Sequence, residues 1–210
     1  PWISVAQRSH WHRYMGTVLH FMGDDKTAIQ HYHQALSLAQ DAGDQTSLMN
    51  AYQALGCVIQ GQDDEDAKTS FEHSLAIARE LDDHAMIATN CYQLGLLFQG
   101  QGDYNTAKKF YVDSLSARKS IGDQKGLGAT YHQLGIIYHV QGDYRTAQRL
   151  YDQSLVISNR LDDASGVAAS LGQLGSIAQE QGDYTRARKL YEASLDISKR
   201  LGNQAHTAAP

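Results

Sequence analysis

Apolar residues in this chain of 210 residues recur in two alternating stripes. Ala107, Tyr111 and Leu115 stand four apart, while Tyr131, Leu134, Gly135 and Tyr138 follow the i, i+3, i+4, i+7 spacing. Both spacings gather residues on one side of an α-helix. The first stripe returns at Ala28/Tyr32/Leu36, Ala67/Phe71/Leu75, Ala147/Tyr151/Leu155 and Ala187/Tyr191/Leu195. The second is marked by Met15-Gly16, Leu55-Gly56, Leu94-Gly95, Leu134-Gly135 and Leu174-Gly175. Polar punctuation separates them. Gln101-Gly102-Asp103-Tyr104 is repeated at Gln141 and Gln181, each copy 40 residues on, and Ile121-Gly122-Asp123 follows the other stripe. Glycine in the left-handed conformation closes a helix, and aspartate accepts hydrogen bonds from the first free amides of the next. No stretch alternates with period two, and proline occurs only at Pro1 and Pro210, so nothing between them need break a helix. The pattern predicts helix, tight turn, helix, tight turn throughout. A fixed period of this size marks a stacked array, an architecture that builds long binding surfaces.

Five glycines in register inside helices need a reason, since each costs about 1 kcal/mol against alanine. The reading here is close approach, with the glycine letting the paired helix and its alanine pack tightly. Gly135→Leu should then damage packing more than it helps helix propensity. One turn is irregular. From Gly56 to Ala67 is 11 residues, against 12 from Gly95 to Ala107, so the turn Gly61-Gln62-Asp63-Asp64-Glu65-Asp66 is short by one. Its acids lack the alternating ligands and distal glutamate of a calcium loop. Acidic residues at a helix start favour the macrodipole, so a solvated cap is expected.

Leu134-Gly135-x2-Tyr138 followed by Ala147-x3-Tyr151 resembles the tetratricopeptide repeat family, whose signature is Trp-x2-Leu-Gly-x2-Tyr, then Ala-x3-Phe, then Pro. The resemblance covers nearly the whole chain. It implies an all-α, right-handed superhelical solenoid of five helix-turn-helix units, forming a single array over 1–210. The units fall at about 5–44, 45–83, 84–123, 124–163 and 164–203, with 204–210 the start of a further helix. Departures are visible: the Trp position holds His12, Tyr52, Cys91, Tyr131 and Leu171, and the closing Pro is absent. The period exceeds the usual value of about 34, as in the long-period arrays that sense ligands in bacterial signal-transduction ATPases and regulators.

In that family the helix carrying Leu-Gly lines a concave groove. Carried over, the groove positions are Tyr92, Leu96 and Gln99, then His132, Ile136 and His139, then Ser176 and Gln179. Just before each leucine stands a glutamine: Gln93, Gln133 and Gln173. These amides can bond the backbone of a bound peptide or tie neighbouring helices together. No fixed cation occupies Tyr92, His132, Gly172, Leu96, Ile136 or Ser176, which argues against a clamp for a C-terminal carboxylate and for a neutral, partly apolar ligand. The resemblance thus implies a non-enzymatic module that takes a protein or peptide in the groove, as the ligand-sensing or scaffolding segment of a larger signalling protein. A structural spacer or oligomerisation array is the alternative, in which Tyr92, His132 and Ile136 are replaceable by alanine without loss of a partner.

Composition narrows this further. Hydrophobic residues are 42% and charged residues 20%, ordinary for a folded chain. A formal charge of −5 argues against a nucleic-acid surface, and no run of 18 apolar residues offers a membrane span. Cys57 and Cys91 fall among apolar neighbours, reading as reduced core thiols of a cytoplasmic protein. No phosphate loop or dinucleotide fingerprint occurs. Ser116-Ala117-Arg118-Lys119 matches Ser-x-x-Lys but lies in a repeating helix without its companion motifs. His10/His12 and His31/His33 are two apart, on different sides of a helix, and His132 and His139 stand about 10.5 Å apart along theirs, too far to share one zinc. No metal, cofactor or catalytic activity is expected. His132 and His139 on one groove face predict ligand affinity that varies between about pH 5.5 and 7.5. There is no initiator methionine, Trp2 through Met22 already reads as the first helix of a unit, and Gln204 opens another. A segment of a longer protein is expected, its last helix exposing an apolar face that pairs with a neighbour.

Overall fold

The computed structural model describes residues 4–207, with side chains to residue 202. Among the described residues there are ten α-helices and no strand: α1 (Val5–Phe21), α2 (Asp25–Ala42), α3 (Gln45–Ile59), α4 (Asp64–Glu80), α5 (His84–Gly100), α6 (Tyr104–Ile121), α7 (Gln124–Val140), α8 (Tyr144–Arg160), α9 (Ala164–Glu180) and α10 (Tyr184–Thr207). Trp2 lies outside the described residues. The helices form two compact units that divide after Phe110, inside α6. In the first, α1 packs on α2, α2 on α3, α3 on α4 and α4 on α5, and α1 also meets α3. In the second, the order is α7 on α8, α8 on α9 and α9 on α10, and α7 also meets α9. Each unit by itself is a row of helical hairpins in which the Leu-Gly helices are neighbours.

The turns are as short as the punctuation predicts, because aspartate starts nearly every helix. Asp24, Asp44, Asp63, Asp83, Asp123, Asp143 and Asp163 each accept a hydrogen bond from the backbone N–H three residues on, satisfying one of the helix's free donors. Asp63 does this in the irregular turn, with Asp64, Glu65 and Asp66 in the first turn of α4, where acids suit the dipole. Ser4 and Gln7 form a reciprocal capping box at the start of α1. Before the caps, the chain passes through positive φ, at glycine in seven places and at Asp82 (φ 54°) and Asp162 (φ 53°) in two. A residue with a Cβ is strained there. We expect Asp162→Gly to raise the unfolding free energy measured by urea titration by about 0.5 kcal/mol, once the extra freedom of the unfolded chain is set against the relief.

The register glycines have a partner the stripes did not reveal. A Cβ on Gly16 would lie 2.7 Å from the Tyr32 ring, one on Gly56 2.7 Å from Phe71, one on Gly135 2.6 Å from Tyr151 and one on Gly175 2.9 Å from Tyr191. The glycine therefore seats the aromatic ring of the paired helix, not its alanine. The alanine stands four residues earlier, one turn away on the same side of the paired helix. Ala28/Tyr32 join Leu55 and Val58, Ala67/Phe71/Leu75 join Cys91, Leu94 and Leu97, and Ala147/Tyr151 join Leu174 and Ile177 in separate buried clusters. At the C-terminal end, α10 runs through Gly202 to Thr207, so no turn precedes residues 204–207, where the spacing had placed the start of a further helix. Glycine inside a helix costs only about 1 kcal/mol, so Gly202 does not by itself end α10. Residues 208–210 lie outside the description.

Candidate functional site

Helix α5 carries Tyr92, Gln93, Leu96 and Gln99, all half-buried. They share one side of α5, from which Gln93 reaches α3. Gln93 Nε2 donates to Cys57 Sγ on α3 at 3.6 Å, and Gln53 Nε2 donates to the same sulfur at 3.2 Å. The amide at the Gln93 position thus ties two neighbouring Leu-Gly helices in the first unit. Burial pushes the Cys57 thiol up, with the Gln93 bond opposing it, so the thiol stays protonated and unreactive.

In the second unit the candidate residues come from α7 and α9. His132, Gln133, Ile136 and His139 on α7 are half-buried, as are Gln173 and Ser176 on α9, and Gln179 is exposed. His139 Nε2 lies 3.0 Å from Glu180 Oε1, and Ser176 Oγ donates to the same oxygen at 3.3 Å. The Tyr144 hydroxyl, from the start of α8, also donates to Glu180. Burial favours the protonated form of Glu180, but the bonds from Tyr144, His139 and Ser176 prevail and hold the carboxyl below its usual range. Tyr151 lies beneath: its ring centroid is 5.4 Å from that of His132 and 6.3 Å from that of His139. Its hydroxyl is buried with no hydrogen-bond partner among the described residues, and burial pushes its ionisation far up, the Glu180 charge adding to this. The corresponding tyrosines are paired: Tyr32 donates to Thr17 Oγ1 at 3.2 Å and Tyr191 to Gln179 Oε1 at 3.1 Å.

The structure therefore joins His139 and Ser176 through two residues that the spacing did not single out, Glu180 and Tyr144, while His132 and Ile136 pack nearby, His132 against Tyr151 and Ile136 on the cluster that contains it. Glu180 was hidden because its register position holds Gly100 and Val140 in the preceding units, so no repeated letter marks it. The histidines also meet differently from the within-helix pairs considered above. His12 Nδ1 and His31 Nδ1, from adjacent helices, lie 3.0 Å apart, with the Trp11 ring edge-on to both. Among the described residues no three potential metal ligands cluster.

Burial lowers the basicity of His132, and burial, then His31 and Arg8, lower that of His12. Burial thus moves the titration of His132 down from its ordinary value. Both bind a proton more weakly in the folded than in the unfolded chain. Above the ordinary value of 6.5 neither state is charged and nothing is lost. As the pH falls below it, the unfolded chain takes protons first, so stability declines on acidification. The thermal midpoint should fall between about pH 7 and pH 5, and His132→Gln should flatten part of that slope.

On α10, Tyr184 (72% exposed), Tyr191 (38%) and Leu195 (53%) stand open. They line, with Ala187, an apolar recess of about 350 Å³. In α8 the same register positions, Tyr144, Tyr151 and Leu155, pack against the cluster shared with α9.

A profile of the tetratricopeptide repeat matches residues 58–120 and 126–203, and a second matches 15–46. The chain belongs to the tetratricopeptide repeat family. No curated protein matches it by sequence. Among solved structures, BtubC (BKLC) from P. vanneervenii superposes with a TM-score of 0.83 at 20% identity, covering 94% of this chain and 82% of that one. The kinesin light chain-like protein of Podosopora anserina, with nearly identical TPR-like repeats, gives 0.76 at 15% identity over 96% and 99%. The apo quorum sensor NprR from B. thuringiensis gives 0.78 at 18% identity over 93% of this chain and 55% of its own. These likenesses concern the fold, an all-α repeat solenoid. Among the described residues no helix is long and apolar enough to cross a membrane. The family is one of protein-interaction modules, and that coarse function holds for this chain.

Proposed function

We propose that this array is a non-enzymatic, cytoplasmic peptide-binding module, working as the ligand-sensing or scaffolding segment of a larger signalling protein. The observation that carries the reading is that His139 and Ser176 meet at Glu180, joining α7 to α9, while Ile136 packs on the cluster that includes Leu174 and Ile177 of α9 and His132 lies against Tyr151, with no lysine or arginine at those positions. Such a face accepts an extended or helical segment that buries apolar side chains while amides and imidazoles meet its polar groups. A displayed library of random peptides, selected on the whole chain, tests it. Selected peptides should lose binding at least tenfold with His132→Ala or Ile136→Ala while helicity by circular dichroism is retained. Undiminished binding would move the ligand elsewhere.

The spacer reading draws support from the bond between Gln93 and Cys57, which uses one of the candidate amides to join helices. We therefore assign peptide contact to the second unit's face and a tying role to Gln93. The open face of α10 is proposed as a self-association surface. Sedimentation equilibrium should show concentration-dependent dimers that Tyr191→Glu abolishes; a monomer at all concentrations contradicts it.

A further inference from the structure

We infer that Glu180 is the seat for a cationic group of the bound segment, a guanidinium or an ammonium, and that His139 is the residue that yields its place to it. This rests on the peptide-binding reading above and deepens it.

Glu180 is an ionised carboxylate at the edge of the α7–α9 face, its side chain 41% exposed. It is reachable by a ligand from outside and held from inside by Ser176, Tyr144 and His139. None of the candidate positions around it is a lysine or arginine, so its charge is matched by no fixed cation there. A ligand guanidinium meets a carboxylate with two parallel N–H donors, whereas an acidic ligand is repelled.

The second observation is the solitary Tyr151 hydroxyl. Its counterparts donate to the residue just after Gly16, Thr17, or to the residue four after Gly175, Gln179. In this hairpin those places hold Ile136, which has no acceptor, and His139, which is drawn to Glu180. A buried hydroxyl left without a partner is unfavourable. His139 thus stands between two claims, the carboxylate above and the phenol beside it. A cation arriving at Glu180 replaces the bond His139 makes and frees the ring to turn, so that its unprotonated nitrogen accepts from Tyr151 while its N–H faces outward. The exchange gives the buried Tyr151 hydroxyl a partner and keeps Glu180 paired, and a neutral ligand offers Glu180 no comparable replacement.

The test compares two tripeptides on the whole chain, acetyl-Ala-Arg-Ala-amide and its citrulline counterpart, which has the same shape and no charge. The readout is the ring ¹H–¹³C resonance of His139, assigned by its loss in His139→Gln. The arginine peptide should move that resonance saturably and the citrulline peptide should bind at least tenfold more weakly. Glu180→Gln should bring the two together, and Tyr151→Phe should weaken the arginine peptide by about fivefold, the worth of one hydrogen bond. Equal responses to both peptides in the unaltered chain overturn the inference, as does no response to either. Neutral peptides selected on the α7–α9 face alongside a silent arginine peptide would overturn it while leaving the peptide-binding reading intact.

Discussion

Gly135→Leu should cost the chain about 3 kcal/mol or more of stability, and Gly135→Ala about 1–2 kcal/mol, despite alanine's better helix propensity. The new Cβ would lie 2.6 Å from Cε1 and 2.7 Å from Cδ1 of Tyr151, closer than carbon atoms approach. Tyr151 is fully buried and packed against Ala147, Leu174 and Ile177, so its ring has nowhere to turn. The natural control is Gly100. It also lies in a helix, the last turn of α5, but nothing stands within 4 Å of the Cβ it would gain. Gly100→Ala should therefore be neutral or stabilising, by up to about 0.5 kcal/mol at a helix end. Urea titrations of the three variants, followed by circular dichroism, check the pattern. Equal responses at positions 100 and 135 would show that the ring does not set the requirement for glycine.

Tyr151 itself should respond in opposite ways to two substitutions. Tyr151→Ala removes the largest side chain of its cluster and leaves a cavity, a loss of about 3–5 kcal/mol. Tyr151→Phe keeps the ring and deletes a hydroxyl that has no partner, so stability should hold or rise by about 1 kcal/mol. The chain already contains that experiment, because Phe71 occupies the same register position and is fully buried beneath Gly56. If Tyr151→Phe proved strongly destabilising, the hydroxyl would have to be bonded in the folded state. The contrast also separates stability from use. A buried phenol without a partner fits the role in ligand exchange inferred above, so the phenylalanine variant should be at once more stable and poorer at holding an arginine peptide.

Much of the architecture was legible because its signals are local. Gly102-Asp103 and Gly122-Asp123 carry turn chemistry that acts within a few residues, and Asp103 does accept from the N–H of Thr106. The stripes likewise report which side of one helix is apolar. They do not report which residue of the next helix fills the space, so the partner of Gly135 was read as an alanine and is an aromatic ring. The same limit hid the contact between His12 and His31, which lie 19 positions apart and were compared only with neighbours on their own helices. Glu180 went unmarked for another reason. Repetition exposes what every unit needs for stacking, and a residue particular to one unit has no echo.

The most direct test of the account is a side-chain footprint of a selected peptide on the whole chain, read by methyl and ring resonances. The account predicts shifts concentrated at Ile136, His132 and His139 on α7, with Ser176 and Gln173 following on α9. Shifts confined to the outward sides of α8 and α10, with Ile136 unmoved, would contradict it.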